Sequence, residues 1–274
     1  MTLIAQLSDL HIRPRGVPAL RVVETNRFAD RAIDAIIALK PRPDAVLMTG
    51  DLIDRWLEAE YELAREILGR SPVPVYLLAG NHDDAAMMRR VFGDYPGVAE
   101  APEDRVRYRA DIGALTLIAL DSSVPGKSRG ELGPDQLAWL DETLADASDR
   151  PVIIAVHHPP FASGIGFMDR IGLRDADALR LVIERHGNVV RVLCGHQHRA
   201  VTTTFAGTIA MIAPGTAHQV TLSLQSDHRD GFILEPPAYL LHQWSEAGLV
   251  SHLAYIEPYE GPYPFRPAEG FQWP

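Results

Sequence analysis

A chain of 274 residues with 46% hydrophobic content can bury one large core, and no low-complexity stretch argues for disorder. The net charge of -10, with no block of clustered Lys and Arg, argues against nonspecific nucleic-acid binding, so an anionic substrate must be attracted locally, for example by metal. One cysteine, Cys194, rules out an intrachain disulfide framework.

Residues 3–7 read as a first strand, an apolar run closed by Ser8-Asp9-Leu10-His11. In an extended chain residues two apart project the same way, so Asp9 and His11 offer one oxygen and one nitrogen to a single ion. Residues 21–40 place Val22, Phe28, Ala29, Ala32, Ile33, Ile36 and Ile37 at helical spacing, which predicts a helix lying on a sheet and ended by Pro41 and Pro43. Ala45 to Met48 is the next strand. Thr49-Gly50-Asp51 ends it, the glycine letting the backbone turn and leaving a carboxylate at the sheet edge. A helix over 57–69, with Leu63, Ala64, Ile67 and Leu68 inward, leads past Pro72 and Pro74 to a strand at 75–78 and then to Gly80-Asn81-His82-Asp83.

Residues 84–93 read as helical and 94–104 as a polar loop. Val106 to Arg109 and Leu115 to Leu120 read as strands paired around Asp111-Ile112-Gly113. Pro134 opens a helix to about Ala147, with Leu137, Leu140 and Leu144 as its apolar stripe. A strand at 152–156 ends in His157-His158-Pro159-Pro160, residues 175–186 are helical, and a strand at 189–193 runs to Gly195-His196-Gln197-His198. Beyond it, 201–205 with 208–212 and 239–244 with 249–256 read as hairpins. The last 18 residues hold five of the 21 prolines together with Tyr259, Tyr263, Phe265, Phe271 and Trp273, too apolar for a free tail. An arm packed on the domain or on a neighbouring subunit, and hence a homo-oligomer, is expected. Met1 leads straight into an apolar run without a basic leader, and no stretch approaches ~20 apolar residues, so a cytoplasmic protein without membrane contact is expected.

Five polar stretches thus follow five apolar runs, and in an α/β sheet ligands collect outside the carboxyl ends of the strands. Six of the eleven histidines fall in them. His158 is expected to support its neighbour, since a ligating histidine needs its ring fixed by an outer partner. His186, His218, His228, His242 and His252 read as ordinary structural or loop residues. Carboxylate, carboxamide and imidazole together suit Fe, Mn, Zn or Co better than Mg or Ca, which prefer oxygen shells. Seven ligands exceed the needs of one tetrahedral ion, whereas two ions about 3.5 to 4 Å apart, bridged by a carboxylate, would use them all.

The order D-x-H, G-D, G-N-H-D, H-H-P-P, G-H-x-H over about residues 3–256 resembles the calcineurin-like metallophosphoesterases, most of all their bacterial glycerophosphodiesterase and class III cyclic-nucleotide phosphodiesterase branch. The resemblance implies an α/β four-layer αββα sandwich of two mixed sheets, with a catalytic core over 1–200 and, over 201–274, core-completing strands and a cap or oligomerisation segment. It implies one metal held by Asp9, His11, Asp51 and His198 and a second held by Asp51, Asn81, His157 and His196, with Asp51 as the bridge. His82, after the Asn81 ligand, matches the family residue that binds the phosphate and assists the leaving group. The activity implied is hydrolysis of a small phosphodiester by a metal-bound hydroxide. The alternatives are a nuclease or a broad phosphomonoesterase of the same superfamily, and a binding module with structural metal. The last is disfavoured because structural sites are usually closed and Cys-rich, and no Cys ligand is on offer. The rim of the pocket is expected from residues 13–20, 122–131 and 214–240.

Overall fold

The computed structural model describes residues 1–225 and 229–265. His228, Phe271 and Trp273 therefore lie outside the described residues. The chain begins β1 (Thr2–Leu7), α1 (Thr25–Ala38), β2 (Ala45–Met48), α2 (Glu58–Leu68), β3 (Val75–Leu77) and α3 (Ala85–Phe92). It continues β4 (Tyr108–Ile112), β5 (Leu115–Leu120), α4 (Pro134–Asp146), β6 (Val152–Val156), α5 (Gly166–Asp169), α6 (Ala176–Ile183) and β7 (Val189–Cys194). The hairpin β8 (Val201–Phe205) and β9 (Thr208–Ile212), the short pair β10 (Gln219–Val220) and β11 (Phe232–Ile233), and the hairpin β12 (Ala238–Ser245) and β13 (Gly248–Tyr255) follow.

Two mixed sheets result, in the orders β13-β12-β1-β2-β3 and β4-β5-β6-β7-β9-β8. β1, β2 and β3 run parallel, as do β5, β6, β7 and β9. Parallel neighbours need crossovers, and α1, α2, α4 and α6 lie on these connections. The runs that looked continuously apolar are buried on both faces. Leu117, Ala119, Ile153, Ala155 and Leu193 meet the first sheet in one core, while Ile118, Leu120, Ile154 and Val192 turn the other way onto Leu140, Leu144, Leu179 and Ile183. That is the expected αββα sandwich.

Two local departures have simple causes. Leu20 and Arg21 take left-handed backbone angles (φ 49° and 69°) inside a turn closed by Ala19 and Val23, so α1 begins at Thr25 and Val22 is left exposed. Ile37 also lies at the solvent side of the stripe, and Ala29, Ala32, Ile33 and Ile36 carry the packing. The four-residue α5 and the pair β10–β11 are too short for any periodicity to announce them.

The sheets are also joined by one polar connection. Gln6 of β1 donates from Nε2 to the Cys194 carbonyl of β7 and to Thr49 Oγ1, both at 3.0 Å. Its Oε1 is therefore the acceptor for His242 Nε2 at 2.9 Å, and His242 Nδ1 accepts from Ser251 Oγ at 2.8 Å. Every donor has an acceptor as long as His242 is neutral. Burial first, and the Arg191 cation second, push its pKa down from the ordinary 6.5 to about 3. Between those values the unfolded chain binds a proton that the folded chain refuses, so stability falls as pH drops through this window, by about 1.4 kcal/mol per pH unit. We expect His242→Gln to flatten the dependence by that amount when urea unfolding of the two metal-free proteins is compared at pH 4.5, 5.5 and 6.5. Parallel slopes would remove His242 from this role.

Candidate metal centre

The carboxyl ends of β1, β2 and β3 from one sheet, and of β6 and β7 from the other, point into the same space. Asp9 and His11 follow β1, Asp51 follows β2, Asn81 and His82 follow β3, His157 follows β6, and His196 and His198 follow β7. The loops carrying them continue the strand pairing: Asp9 N donates to Gly50 O and His11 N to Asp51 O, each at 3.1 Å, and Gly195 N donates to His157 O at 3.0 Å. Asp9, Asp51, His157, His196 and His198 are all at most 6% exposed.

The backbone at these positions is strained. Asp9 (φ 57°), His11 (46°), Asp51 (51°), His196 (71°) and His198 (47°) all occupy the left-handed region, as do only four other non-glycine residues among those described. A non-glycine side chain there costs of order 1 kcal/mol or more, and such strain persists where the surroundings over-determine it. Gly80 marks how tight the packing is, because a Cβ there would strike the Asp51 carboxylate and its backbone nitrogen.

Hydrogen bonding fixes which ring nitrogen faces the centre. His157 Nδ1 donates to the Thr49 carbonyl at 2.7 Å and His198 Nδ1 to the His218 carbonyl at 3.1 Å, since a carbonyl only accepts. His157 Nε2 is left 3.4 Å from Asp51 Oδ2 and 3.2 Å from Asn81 Oδ1, and His198 Nε2 lies 3.3 Å from Asp9 Oδ1. His11 turns Nδ1 to Asp54 Oδ1 at 3.4 Å, and its Nε2 stands 3.1 Å from His198 Nε2 and 3.7 Å from Asp51 Oδ2. His196 Nε2 is buried with no partner at all among the described residues. The inward-facing nitrogens are thus lone pairs set against acidic oxygens, and beyond the backbone N–H groups of His82 on Asp51 and His196 on Asp9 no neutral donor answers the carboxylates among the described residues. A cation or protons must. Burial opposes the charging of His157, but the Asp51 carboxylate outweighs it and lifts its pKa to about 9. The donor set fits two ions, with Asp51 Oδ2 lying between the His11 and His157 nitrogens.

His82 stands at the mouth, its side chain 36% exposed. Its backbone N–H orients Asp51 by donating to Oδ1 at 2.9 Å, and its ring packs edge-on to His11 with centroids 4.7 Å apart. His82 Nδ1 donates to the Asp54 carbonyl at 2.9 Å, which leaves Nε2 as its free nitrogen. Burial works against its protonation, yet the carboxylates of Asp51, Asp54 and Asp83 prevail and its pKa is raised. His158 supports its neighbourhood from behind: its ring lies between Ser122 Oγ (2.8 Å) and the Ser128 carbonyl (3.2 Å) and 4.5 Å from the His196 ring. A hollow of about 530 Å³ opens beside Asn81, lined by Trp56, Asp84, Arg105, Ser123 and Gly126 among others.

Two neighbours were not singled out from sequence. His218 lies 4.5 Å from the His198 ring and 5.6 Å from that of His11, with a buried Nδ1 that has no partner. Asp54 anchors both His11 and His82. Neither follows directly on a strand, which was the signal that found the others.

A fold of two stacked sheets with an Asp, Asn and His cluster at their shared edge defines a metal-dependent hydrolase architecture. The sequence model for calcineurin-like phosphoesterases matches residues 2–200, and the chain belongs to that family. It is 36% identical to the probable glycerophosphodiester phosphodiesterase GpdQ of Arcobacter nitrofigilis, over 98% of both chains. It is 32% identical to the glycerophosphodiester phosphodiesterase GpdQ of Enterobacter lignolyticus, over 95% of this chain and 94% of that one. The 3',5'-cyclic adenosine monophosphate phosphodiesterase CpdA of Escherichia coli K12 is 31% identical over 79% of this chain and 76% of its own. In fold, the chain is similar to a dimetal phosphatase from Danio rerio, with a TM-score of 0.69 at 16% identity over 93% of this chain and 96% of that one.

If the centre depends on this packing, Gly80→Ala should cost metal even though it removes no ligand. We expect metal analysis of the purified variant to show less than one ion per chain with its circular dichroism intact. Full loading would mean that Asp51 has room to move.

Proposed function

We propose that this protein hydrolyses small phosphodiesters, with glycerophosphodiesters the first candidates and cyclic nucleotides the second. The observation that carries the reading is the convergence of His11 Nε2 and His157 Nε2 on Asp51 Oδ2, at 3.7 and 3.4 Å, in a chain whose relatives are named for these substrates. Asp9, His11, Asp51 and His198 would hold one ion, and Asp51, Asn81, His157 and His196 the other. Two divalent ions, Fe, Mn, Zn or Co, supply Lewis acidity and a nucleophile at neutral pH when bound.

The residues of the chain do the rest. Asp51 is held by the His82 N–H, so the shared carboxylate cannot swing away. Asn81 borders the hollow and its Oδ1 lies 3.2 Å from His157 Nε2, so its side chain would reach both the centre and a bound substrate. His82 binds the phosphoryl group, and because Nδ1–H is engaged by Asp54, its cationic form presents Nε2–H toward the leaving alkoxide. A hollow bordered by Trp56 and Arg105 has room for a small alcohol, and a net charge of -10 with no block of clustered Lys and Arg disfavours a nuclease.

Purified protein should hydrolyse bis(p-nitrophenyl) phosphate, lose the activity to a chelator and regain it with metal; inert protein that holds its metals would instead be a binding module. The leaving group then tests His82. General acid assistance is worth roughly 10² to 10⁴-fold where an alkoxide leaves and little where p-nitrophenolate does. His82→Ala should therefore depress glycerophosphodiester turnover far more than aryl diester turnover, with both metals retained. Equal losses would leave His82 as a phosphate clamp without a proton to give.

We also propose a cytoplasmic homo-oligomer, with residues 1–200 as the catalytic core and 201–274 contributing subunit contacts. A lone buried cysteine suits a reducing compartment, and Tyr259 and Tyr263 lie 61% and 60% exposed beyond the last strand. Among the described residues no helix is long and apolar enough to cross a membrane. Removal of 257–274 should lower the sedimentation coefficient to that of a smaller assembly, whereas a monomeric full-length protein would end the idea.

A further inference from the structure

Arg191 presents a buried charge that the catalytic reading leaves unexplained. β6 and β7 slip register between Val152, which faces Val189, and Ile153, which faces Arg191, so β7 carries one extra residue there. A bulge re-aims the side chains beyond it, and Arg191 consequently points between the sheets with Leu193 rather than out onto the helices. Among the described residues it is the only Arg or Lys that is buried, at 5% exposure. Nη2 donates to the Leu249 carbonyl at 2.8 Å, while Nε is buried without any partner. No described carboxylate lies within 4.0 Å of it, in contrast with Arg13, whose half-buried guanidinium meets Glu60 Oε1 at 2.5 Å.

One carbonyl is poor compensation for a guanidinium held out of water, which is costly to bury unless an anion answers it. The space for an anion is present. Arg191 borders an open hollow of about 520 Å³ between the β8–β9 and β12–β13 turns, with Thr204, Thr208 and Trp244 among the residues that line it. A planar fork of donors matches the geometry of an oxyanion, and threonines beside it carry hydroxyls that can add to it. The hollow lies five residues below His196 along β7, about 16 Å at strand rise, and so is separate from the metal centre.

We propose that this hollow is a second binding site, for a small oxyanion such as phosphate or a carboxylate, with Arg191 as its cation. The test is calorimetric titration of the metal-loaded full chain with inorganic phosphate and, in a second arm, with acetate. Phosphate should give two binding events. Arg191→Met, which keeps the length of the side chain without its charge, should lose one of them and keep the other along with normal turnover. Asp51→Ala should show the reverse loss, and Arg191→Lys should restore a weakened event. A response to acetate alone at the Arg191-dependent site identifies it as a carboxylate site. Thermal melting in anion-free buffer guards against misreading a damaged variant: relieved of an unanswered charge, Arg191→Met should melt no lower than the parent. Phosphate and acetate titrations unchanged by Arg191→Met, or an Asp51→Ala protein that binds neither anion, would overturn the site.

Discussion

The centre of this protein is a place where acceptors face acceptors. Three imidazoles have committed their Nδ1 protons outward, to a backbone carbonyl for His157 and His198 and to a carboxylate for His11, so that their Nε2 lone pairs meet the oxygens of Asp9 and Asp51. Left alone, such a cluster has to take up protons, as the raised pKa values of His157 and His198 beside Asp51 and Asp9 show. Its geometry is set by two sheets closed over a large apolar core, whose strand ends bring these side chains together. Asp9, His11, Asp51 and Asn81 come from one sheet and His157, His196 and His198 from the other, so a cation at the centre also ties the two halves of the sandwich together.

The polar connection beneath the centre serves the same geometry. Thr49 accepts from Gln6 through its hydroxyl and from His157 through its carbonyl. Gln6 in turn reaches the Cys194 carbonyl, one residue before Gly195. His157 of the second sheet is therefore oriented by a residue of the first, and the depth at which one sheet sits on the other is set within a hydrogen-bond length of the His and Asp cluster.

Much of this was legible in the sequence because burial and ligation leave different marks. Runs such as Val152–Val156 are apolar throughout since both faces are covered, and a polar triplet after such a run has to sit at a sheet edge. Topology then brings the edges together. What the sequence hid depends on contacts distant along the chain. Val22 and Ile37 fit a helical stripe, but only the turn at Leu20 and Arg21 decides that the first of them stays outside. His218 sits in a loop with no strand before it, and its place beside His198 follows from the course of the chain after β9. Nor could spacing tell which nitrogen of each ring faces inward, which is set by Asp54 and by the carbonyls of Thr49 and His218.

The left-handed backbone at five of the proposed ligand positions bears on how such a protein would evolve. Glycine relaxes there at no steric cost, whereas Asp and His are kept in place against the preference of their own backbone. Selection for thermal stability alone, with no demand on turnover, would find glycine attractive at residues 11 and 198, and each gain would dismantle the centre. The proposed ligand positions are therefore where a more robust scaffold and a working enzyme part company, and a lineage released from catalysis should show its first losses there.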